Sequence, residues 1–493
     1  MSEKSLRNLS IAYLILPNIL FFYNWTNLPI AIAGVITLIY LLIEDRKDKS
    51  FNGFRILKRK DVIIIGLTTL VLTFVSGING YCYQTFDYWC HNTKFYELLS
   101  YSWPIRIPKN GPVISYYYGF YIIPALFSKV TGTINEASIF VWTWLGIAIG
   151  ISWIYLVLNK KIVFVLLAVC IGDLPHVLKT VLYKLSVSLY AFGDFGIENW
   201  SNLENLLWVP NQVIPTLILG GMFMYILTRN LNFDLMVLPI ALSFWWAVFP
   251  AFVCGFLLAV LIIRDWILTK FQLDWVRVFK KVVLPFLICL PVLIFFMSHA
   301  EAPISGFIWN FSSDISNTIS EYAVNIGINA VLFLTAYFYF RKINLPSLEQ
   351  FPFYLILALC IIFPIYRLGK VNDFLFRGMM PFLIIIGMYL FYPLATYRSK
   401  RTFGIIKNSW MAIPLVLLLA TSSLIGITRV FRAATVNQYT AQMNPDKVTF
   451  RAIPYDAYTN IYEVLKEKWS QQEANQYLGK SDSFYEKYMA PKL

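Results

Sequence analysis

Residues 80–124 read GYCYQTFDYWCHNTKFYELLSYSWPIRIPKNGPVISYYYGFYIIP and lie between two sets of long apolar segments. The stretch is too polar to span a bilayer, and tyrosines and tryptophans surround its first acidic residue, Asp87. Trp89 and His91 follow within four positions. Because ordered polar loops between membrane spans often carry function, the sequence predicts a functional site on this loop.

The composition indicates a membrane protein. Of 493 residues, 58% are hydrophobic and 14% are charged, which excludes an ordinary soluble domain. Repeated apolar runs approach the roughly 20 residues that cross a bilayer, so we expect an all-α polytopic fold with the lipid bilayer as a partner. The net charge of +14 would suit nucleic acid, but the basic residues collect in short loops, so no nucleic-acid partner is expected. The first apolar run lacks a small-residue cleavage site and predicts a retained helix.

The apolar runs predict about 13 transmembrane helices. Their approximate bounds are 9–23, 26–44, 62–79, 138–158, 162–178, 210–228, 234–248, 250–264, 282–298, 322–340, 351–366, 377–394 and 409–427. The short runs 234–248 and 250–264 are compatible with two spans or with one bent hairpin. Residues 113–130 are expected to form a non-spanning interfacial helix, because Pro124 and the tyrosine run favour the membrane surface.

Charge distribution sets the expected topology. With a cytoplasmic N-terminus, the basic clusters at 46–60, 264–281 and 398–407 all lie inside, as the positive-inside rule requires. We therefore predict a transmembrane module at 1–427 with exoplasmic loops at 80–137 and 172–208, followed by an exoplasmic tail at 428–493. Within this tail, residues 457–477 have helical periodicity.

Asp87 is the leading catalytic candidate. A carboxylate among aromatic side chains near a membrane can act as a general base toward a hydroxyl. The alternative, a structural acid bonded to loop amides, is equally compatible with the sequence. Glu97 lies on a helical pattern and is expected to be solvated.

Cysteines and histidines leave metal binding open. Cys82 and Cys90 share the loop and would form a disulfide in an oxidising compartment. His91, His176 and His299 fall near predicted span edges, where ordinary interfacial histidines are commoner than metal ligands. No metal ligand or cofactor is therefore assigned, although a divalent metal remains conceivable.

A second candidate segment, YRLGKVNDFLFRGMMP, covers residues 366–381. Arg367, Lys370 and Arg377 cluster where a helix is predicted to enter the bilayer from outside, a place that the positive-inside rule disfavours. Phosphate binding would explain them, and Asp373 would orient Arg377. The alternative is snorkelling of these side chains to lipid headgroups.

The stretch 172–212 carries groups that suit sugars. Asp173, Glu198 and Asn205 supply carboxylates and an amide, and Trp200 and Trp208 lie nearby in the sequence. Ordinary aromatic-belt anchoring is the alternative for the tryptophans. The chain has no P-loop, no Rossmann glycine pattern and no serine nucleophile elbow, so any activated donor is expected to arrive through the membrane.

These features resemble the GT-C superfamily of integral-membrane glycosyltransferases, and more narrowly a group of bacterial multi-pass glycosyltransferase-like proteins. The motifs that carry the resemblance are DYWCHN at 87–92, WP at 103–104, YYYGFYIIPAL at 116–126, IENW at 197–200, WVPNQ at 208–212, NDFLFR at 372–377 and QYLGKSDSFYEKY at 476–488.

The resemblance implies a polyprenyl-phosphate-linked sugar donor, transfer on the exoplasmic face of the bacterial inner membrane, and inversion at the anomeric carbon. The acceptor hydroxyl could belong to a glycan, a lipid or a protein. Asp87 maps to the general base, and Arg377, with Lys370 and Arg367, to the donor phosphate. The residues expected to position sugars are His91, Trp89, Asp173, Glu198, Asn205, Asn372 and Asp373. Many members carry two acids close together in the first loop, whereas Asp87 stands alone here.

Two other functions are compatible with the sequence. A polymerase or ligase of surface polysaccharide would also need an acid and arginines outside the membrane, and a requirement for a single-sugar donor would argue against it. A lipid or glycan transporter usually carries charges near the membrane midplane and inverted repeats, and neither feature is evident here.

Overall fold

The computed structural model describes residues 1–52, 56–185, 200–311, 313–343, 345, 347–369, 371–396 and 409–492. These residues are mostly helical, as the sequence predicts. In chain order the helices are α1 (Glu3–Trp25), α2 (Leu28–Lys47), α3 (Arg59–Val75), α4 (Tyr88–Ser100), α5 (Ile122–Thr131), α6 (Glu136–Val157), α7 (Ile162–Cys170), α8 (Leu174–Lys184), α9 (Asn202–Trp208), α10 (Pro210–Thr228), α11 (Val237–Ser243), α12 (Val248–Leu268), α13 (Trp275–Phe296), α14 (Ile315–Lys342), α15 (Gln350–Ile362), α16 (Phe374–Thr396), α17 (Ala412–Thr421), α18 (Leu424–Thr435), α19 (Gln438–Met443), α20 (Ile461–Lys468), α21 (Gln471–Asn475) and α22 (Phe484–Tyr488).

One small sheet is present in the described part of the chain. Strand β1 (Ser305–Phe307) pairs antiparallel with β2 (Tyr366–Leu368), and Gly306 lies opposite Arg367. The pairing joins the loop after α13 to the segment that leads into α16. The sheet therefore fixes the position of the segment that leads to Arg377.

Eight of the described helices are long and apolar enough to cross a membrane: α1, α2, α6, α10, α12, α13, α14 and α16. The pair α17 and α18, bent by 40°, would be a ninth span. Other predicted spans fall on shorter or interrupted helices. The predicted span 162–178 breaks after α7, where Gly172 adopts a φ of +121°, and 234–248 contains a 3₁₀ turn (Phe233–Met236) followed by α11.

Helix α10 lies at the centre of the bundle and packs closely against α6. A Cβ atom on Gly150 would lie 2.5 Å from the Cβ of Leu217, and one on Gly221 would lie 2.6 Å from the Cβ of Trp153. Small residues of this kind allow membrane helices to approach closely. This packing holds the first turn of α10, which contains Asn211 and Gln212, at the end of the bundle where the residue 80–124 loop lies.

The segment 113–130 contains a shorter helix than predicted. Its helical part is α5, whose ten residues extend about 15 Å, only half of the roughly 30 Å hydrocarbon core. Residues 113–119 instead run across the end of the bundle without regular structure. This path places Tyr116 and Tyr117 beside α4.

The C-terminal tail is bound to the same end of the bundle by backbone hydrogen bonds. Ser115 N donates to Tyr477 O at 2.9 Å, and Ala300 N donates to Leu478 O at 2.7 Å. Lys480 N donates to Ser298 O at 2.7 Å. The helical periodicity predicted for 457–477 corresponds to α20 and α21, which are separated at Trp469 and Ser470. The tail thus covers the residue 80–124 loop.

Gly479 provides a test of this tail contact. A Cβ atom there would lie 2.2 Å from Val113 O, so we expect Gly479→Ala to displace the tail and destabilise the protein by about 1–3 kcal/mol. Thermal unfolding and limited proteolysis in detergent would measure the effect. Gly327→Ala is the matched control, because a Cβ atom at Gly327 has nothing within 4 Å. Equal unfolding temperatures of the two variants would contradict this account of the tail.

Candidate functional site

Asp87 and Arg377, 290 positions apart in the sequence, line the same cavity. Asp87 immediately precedes α4, and Arg377 lies in the π-helical first turn of α16 (Phe374–Gly378). We call this space the Asp87 cavity. The residues that line it are Asp87, Cys90, His91, Lys94, Tyr116, Tyr117, Val209, Asn211, Gly369, Val371, Asp373, Arg377, Leu465, Trp469, Glu473, Gln476 and Tyr477. The loop, the start of α10, the segment before α16 and the tail all contribute to it.

The carboxylate of Asp87 is not used to hold the loop together. Asp87 occupies the N-cap position of α4, but its side chain makes no capping hydrogen bond. Burial raises its pKa, an effect that nearby Arg377 and Lys94 oppose and that Asp373 reinforces. Within the described residues, no hydrogen bond from this carboxylate to a loop amide supports the alternative interpretation of Asp87 as a structural acid. A carboxylate with a raised pKa facing a cavity has the properties of a general base.

Arg377 is oriented by Asp373, as predicted. The two side chains form an ion pair one helical turn apart, between Arg377 Nη1 and Asp373 Oδ1. Gly369 has a φ of +77°, and a Cβ atom there would lie 2.4 Å from Asp373 Oδ2. The glycine therefore leaves the space that Asp373 occupies, and burial raises the pKa of this carboxyl group. The remaining guanidinium donors of Arg377 are available to a ligand.

A second cavity adjoins the first at Arg377. It has a volume of about 340 Å³ and shares Tyr117, Gly369, Asp373, Arg377, Gln476 and Tyr477 with the Asp87 cavity. Its other lining residues are Ser115, Val248, Phe249, Phe252, Phe296, His299, Pro303, Leu368 and Phe374, so most of its surface is apolar. We call it the apolar groove.

The apolar groove continues onto the surface of a membrane-crossing helix. Phe249, Phe252 and Phe256 lie on one face of α12, and the last two are each 44% exposed. Phe252 contacts the ring of Phe374 at 5.9 Å between centroids, and Phe256 contacts Phe363 at 5.3 Å. A cationic end and an apolar channel that opens on the bundle surface suit an amphipathic ligand.

His91 lines the Asp87 cavity but has no free ring nitrogen. Its Nε2 lies 2.7 Å from Trp208 O, which can only accept, so Nε2 carries the proton. Nδ1 then accepts from the Tyr121 hydroxyl at 2.6 Å. Burial also lowers the pKa of His91, so the ring is neutral. Its role in positioning sugars stays a prediction, and its hydrogen bonds join α4 to the last residue of α9 and to Tyr121 at the start of α5.

Trp89 faces the tail and is not part of the cavity wall. The Lys468 ammonium lies 4.7 Å from the Trp89 ring centroid, and the Tyr458 ring packs edge-on against it. The indole therefore contributes to docking of the tail on α4.

Asp173 and Asn205 lie in a different buried polar cluster. Asp173 Oδ1 accepts from Ser201 N at 2.5 Å, and Asn205 Nδ2 donates to Trp200 O at 3.1 Å. Arg429 binds the neighbouring Glu204. Burial, reinforced by Glu204, raises the pKa of Asp173 to about 8. The structure thus does not bring these two predicted residues to the Asp87 cavity.

The other predicted residues differ in their placement. Arg367 is buried, donates from Nε to Gly369 O at 3.0 Å and lies over the Phe311 ring. Asn372 Nδ2 donates to Pro364 O at 2.9 Å. Neither residue lines the two cavities, although both support the segment that carries Gly369 and Asp373. Lys370 and Glu198 lie outside the described residues.

Glu97 is buried, and the prediction that it is solvated is wrong. It is 0% exposed and accepts from the Tyr118 hydroxyl at 2.9 Å and from Ile461 N at 2.7 Å. Burial raises its pKa to about 7 and outweighs these two hydrogen bonds. Since Ile461 belongs to the tail, a helical pattern in the loop alone could not reveal that this face is covered.

The predicted disulfide between Cys82 and Cys90 is also absent. Both thiols are free and buried. Cys82 packs with Val75, Leu207 and Ala433, whereas Cys90 belongs to the main core. Cys82, which precedes α4, and Cys90, in its first turn, therefore lie in different environments.

Three features of the site were missed by the sequence analysis. Lys94 is seven residues after Asp87 and His91 is four, so the three share one face of α4, a spacing that could have indicated Lys94. Asn211 is 1% exposed, and neither Oδ1 nor Nδ2 has a hydrogen-bond partner. The tail contribution of Leu465, Trp469, Glu473, Gln476 and Tyr477 had no local signal.

The described residues contain no group of three or more histidine, cysteine, aspartate or glutamate side chains placed to hold a metal ion. Within these residues, the three histidines also lie in separate surroundings. The described lining residues of the Asp87 cavity supply carboxylates, the cations Lys94 and Arg377, tyrosine hydroxyls and the amide of Asn211, which has no hydrogen-bond partner among the described residues.

In comparisons with known proteins, no family model, curated protein or solved structure matches the chain. The resemblance to GT-C enzymes therefore stays a prediction. A functional conclusion has to be argued from the geometry of the two cavities.

Glu97 gives a pH-dependent test of the site. Its pKa of about 7 in the folded protein exceeds the ordinary value of 4.5, so the folded state binds the proton more tightly than the unfolded state. The stability supplied by Glu97 is present below pH 4.5 and is lost as the pH rises through 7. The unfolding temperature of Glu97→Gln minus that of the wild type should therefore be larger at pH 8 than at pH 5. If this difference in unfolding temperature were the same at both pH values, the raised pKa of Glu97 would be contradicted.

Proposed function

We propose that this protein is a GT-C type glycosyltransferase that moves a sugar from a polyprenyl-phosphate carrier to an acceptor hydroxyl. The main support is that Asp87, free of capping bonds, and Arg377 line one cavity that adjoins the apolar groove. A lipid phosphate at Arg377 would extend its chain along the groove. Its sugar would then enter the Asp87 cavity.

The reaction assigns one role to each main residue. The acceptor oxygen attacks the anomeric carbon while Asp87 takes the hydroxyl proton, and the bond from that carbon to the phosphate oxygen breaks. The phosphate leaves with the bonding electron pair, and Arg377 stabilises the added charge. Asp373 holds the guanidinium in place, and attack from the side opposite the phosphate inverts the anomeric carbon.

The groove suits an isoprenoid chain better than a soluble donor. Most of its lining is aromatic or aliphatic, and its phenylalanines continue along α12, a helix able to cross the membrane. Asn211 and the tyrosine hydroxyls supply hydrogen-bonding groups for the sugar at the other end. Lipid entry from the bilayer therefore explains how a chain without a nucleotide-binding motif obtains an activated sugar.

The proposal includes the predicted topology. About 13 spans with a cytoplasmic N-terminus would place Asp87, Arg377 and the tail on the exoplasmic face of a bacterial inner membrane. Residues 46–60 and 264–281 would then carry their positive charge on the cytoplasmic side. Accessibility of cysteines introduced at Asn110 and Ser481 to an impermeant reagent would test this orientation.

The catalytic assignment predicts different defects for two variants in lipid nanodiscs. Asp87→Asn removes the base and keeps the side-chain size, so transfer of radiolabelled sugar from a polyprenyl-phosphate sugar to membrane acceptors should fall roughly 100-fold or more. Binding of polyprenyl phosphate should be unchanged. Arg377→Ala should weaken that binding, and Arg377→Lys should restore only part of it because the fork geometry is lost.

Two exposed tail residues provide matched controls. Asp446→Asn and Arg451→Ala make the same chemical changes at positions that line neither cavity, so both should behave like the wild type. A wild-type protein that does not bind polyprenyl phosphate would contradict the proposed function. Normal transfer by Asp87→Asn would remove the proposed base.

A further inference from the structure

Lys94 is a buried cation whose charge the reaction above does not use. Its side chain lies on α4 inside the Asp87 cavity and is 2% exposed. Its Nζ donates to the Tyr116 hydroxyl at 3.0 Å, and no ion pair is formed by Lys94 within the described part of the chain. A buried ammonium without a carboxylate partner is costly, and such groups in membrane proteins usually serve function.

Tyrosine rings surround the ammonium on the protein side. The Nζ atom lies 4.5 Å from the Tyr116 ring centroid, 4.6 Å from that of Tyr121 and 5.7 Å from that of Tyr117. These cation–π contacts offset part of the desolvation cost. Within the part of the chain that the structure describes, Tyr116 is the hydrogen-bond acceptor for one of the three ammonium hydrogens, and the other two have none. Burial lowers the pKa of Lys94 to about 8, which agrees with the absence of an ion-paired carboxylate among the described residues.

Lys94 lines the Asp87 cavity and not the apolar groove. Arg377 lines both the groove and the Asp87 cavity, whereas Asp87 and Lys94 line only the latter. Along the axis of α4, the backbone rises about 10 Å from Asp87 to Lys94. Arg377 is the described cation that the two cavities share, whereas Lys94 belongs to the Asp87 cavity. A phosphate held at Arg377, with its chain in the groove, would place the carbohydrate in the cavity that Lys94 lines.

The neighbouring groups suit a carbohydrate with a negative charge. Asn211 offers an unpaired amide on the same cavity wall, and Tyr116 and Tyr117 offer ring faces and hydroxyls. Glu97 is close to Lys94, but its carboxyl oxygens accept hydrogen bonds from Tyr118 and Ile461. It therefore does not form an ion pair with the ammonium. A carboxylate on the ligand would supply the missing partner.

We propose that Lys94, with Asn211, forms a subsite for an acidic sugar, in which the Lys94 ammonium binds the carboxylate of a hexuronic acid. The inference rests on the proposed glycosyl transfer, whose substrate class it defines. The acidic sugar belongs to either the donor or the acceptor. Attraction by the ammonium and repulsion by Asp87 would place its carboxylate next to Lys94.

Binding of methyl glucuronide and methyl glucoside to the full-length protein in nanodiscs tests this subsite. Saturation-transfer NMR should show at least a tenfold preference for the glucuronide. Lys94→Met should remove the preference, and Lys94→Gln should do so while keeping a hydrogen bond to Tyr116. Retention of the preference in a folded Lys94→Gln protein, or equal binding of the two sugars by the wild type, would overturn the proposal.

Lys129→Met is the matched control. Lys129 is also a partly buried lysine, over the Trp103 ring at 5.2 Å, but it donates to Leu99 O and Tyr101 O and lines neither cavity. It should keep the wild-type preference. Loss of the preference in this variant would show a general structural effect and overturn the assignment to Lys94.

Binding of lipid-linked sugars distinguishes an acidic sugar on the donor from one on the acceptor. A Lys94-dependent preference for polyprenyl-phosphate glucuronate over polyprenyl-phosphate glucose would place the acid on the donor. Equal binding of these lipids, with a preference for methyl glucuronide added after polyprenyl phosphate, would place it on the acceptor. A protein that binds polyprenyl phosphate but shows neither preference refutes the subsite alone. Lys94-dependent glucuronide binding without lipid binding refutes the glycosyl-transfer function instead.

Discussion

Burial of charged groups at the end of the helical bundle depends on the cover supplied by the C-terminal tail. Glu97 receives a backbone hydrogen bond from Ile461, and residues of α20 and α21 close one wall of the Asp87 cavity. Backbone bonds from Ser115, Ala300 and Lys480 fix the end of this cover to two other loops. Without it, the raised pKa values of Asp87 and Glu97 would have no physical cause, because water would reach both carboxyl groups.

The charges within the site are arranged in two different ways. Arg377 is paired with Asp373, so its position is fixed before a ligand arrives. Among the described residues, Asp87 and Lys94 have no ion-pair partner, and both line the cavity. Preorganisation of the first pair favours binding, and the unpaired groups are those that a reacting or recognised ligand would satisfy. This contrast is the basis for giving Arg377 a different role from Asp87 and Lys94.

Sequence reasoning succeeded where a residue was chemically out of place. Asp87 among aromatic residues and Arg377 at the start of an apolar helix were both recognisable, and the cavity contains both. It failed for Glu97 because periodicity cannot distinguish a face in water from one covered by a distant segment. Asn211 was missed because a polar residue at the start of a buried helix resembles a cap. The count of 13 spans stays a prediction, because hydropathy alone does not register breaks such as those at Gly172 and between α17 and α18, and eight described helices are long and apolar enough to cross a membrane.

The position of the tail in the chain has a consequence for biosynthesis. Synthesis proceeds from the N-terminus, so the bundle helices are made before residues 461–477 leave the ribosome. Until then Glu97 lacks its bond from Ile461, and the wall formed by Leu465, Trp469 and Tyr477 does not exist. A partly made chain therefore has its bundle helices but lacks the tail wall of the Asp87 cavity. The cavity is enclosed only once residues 461–477 have been synthesised and have docked.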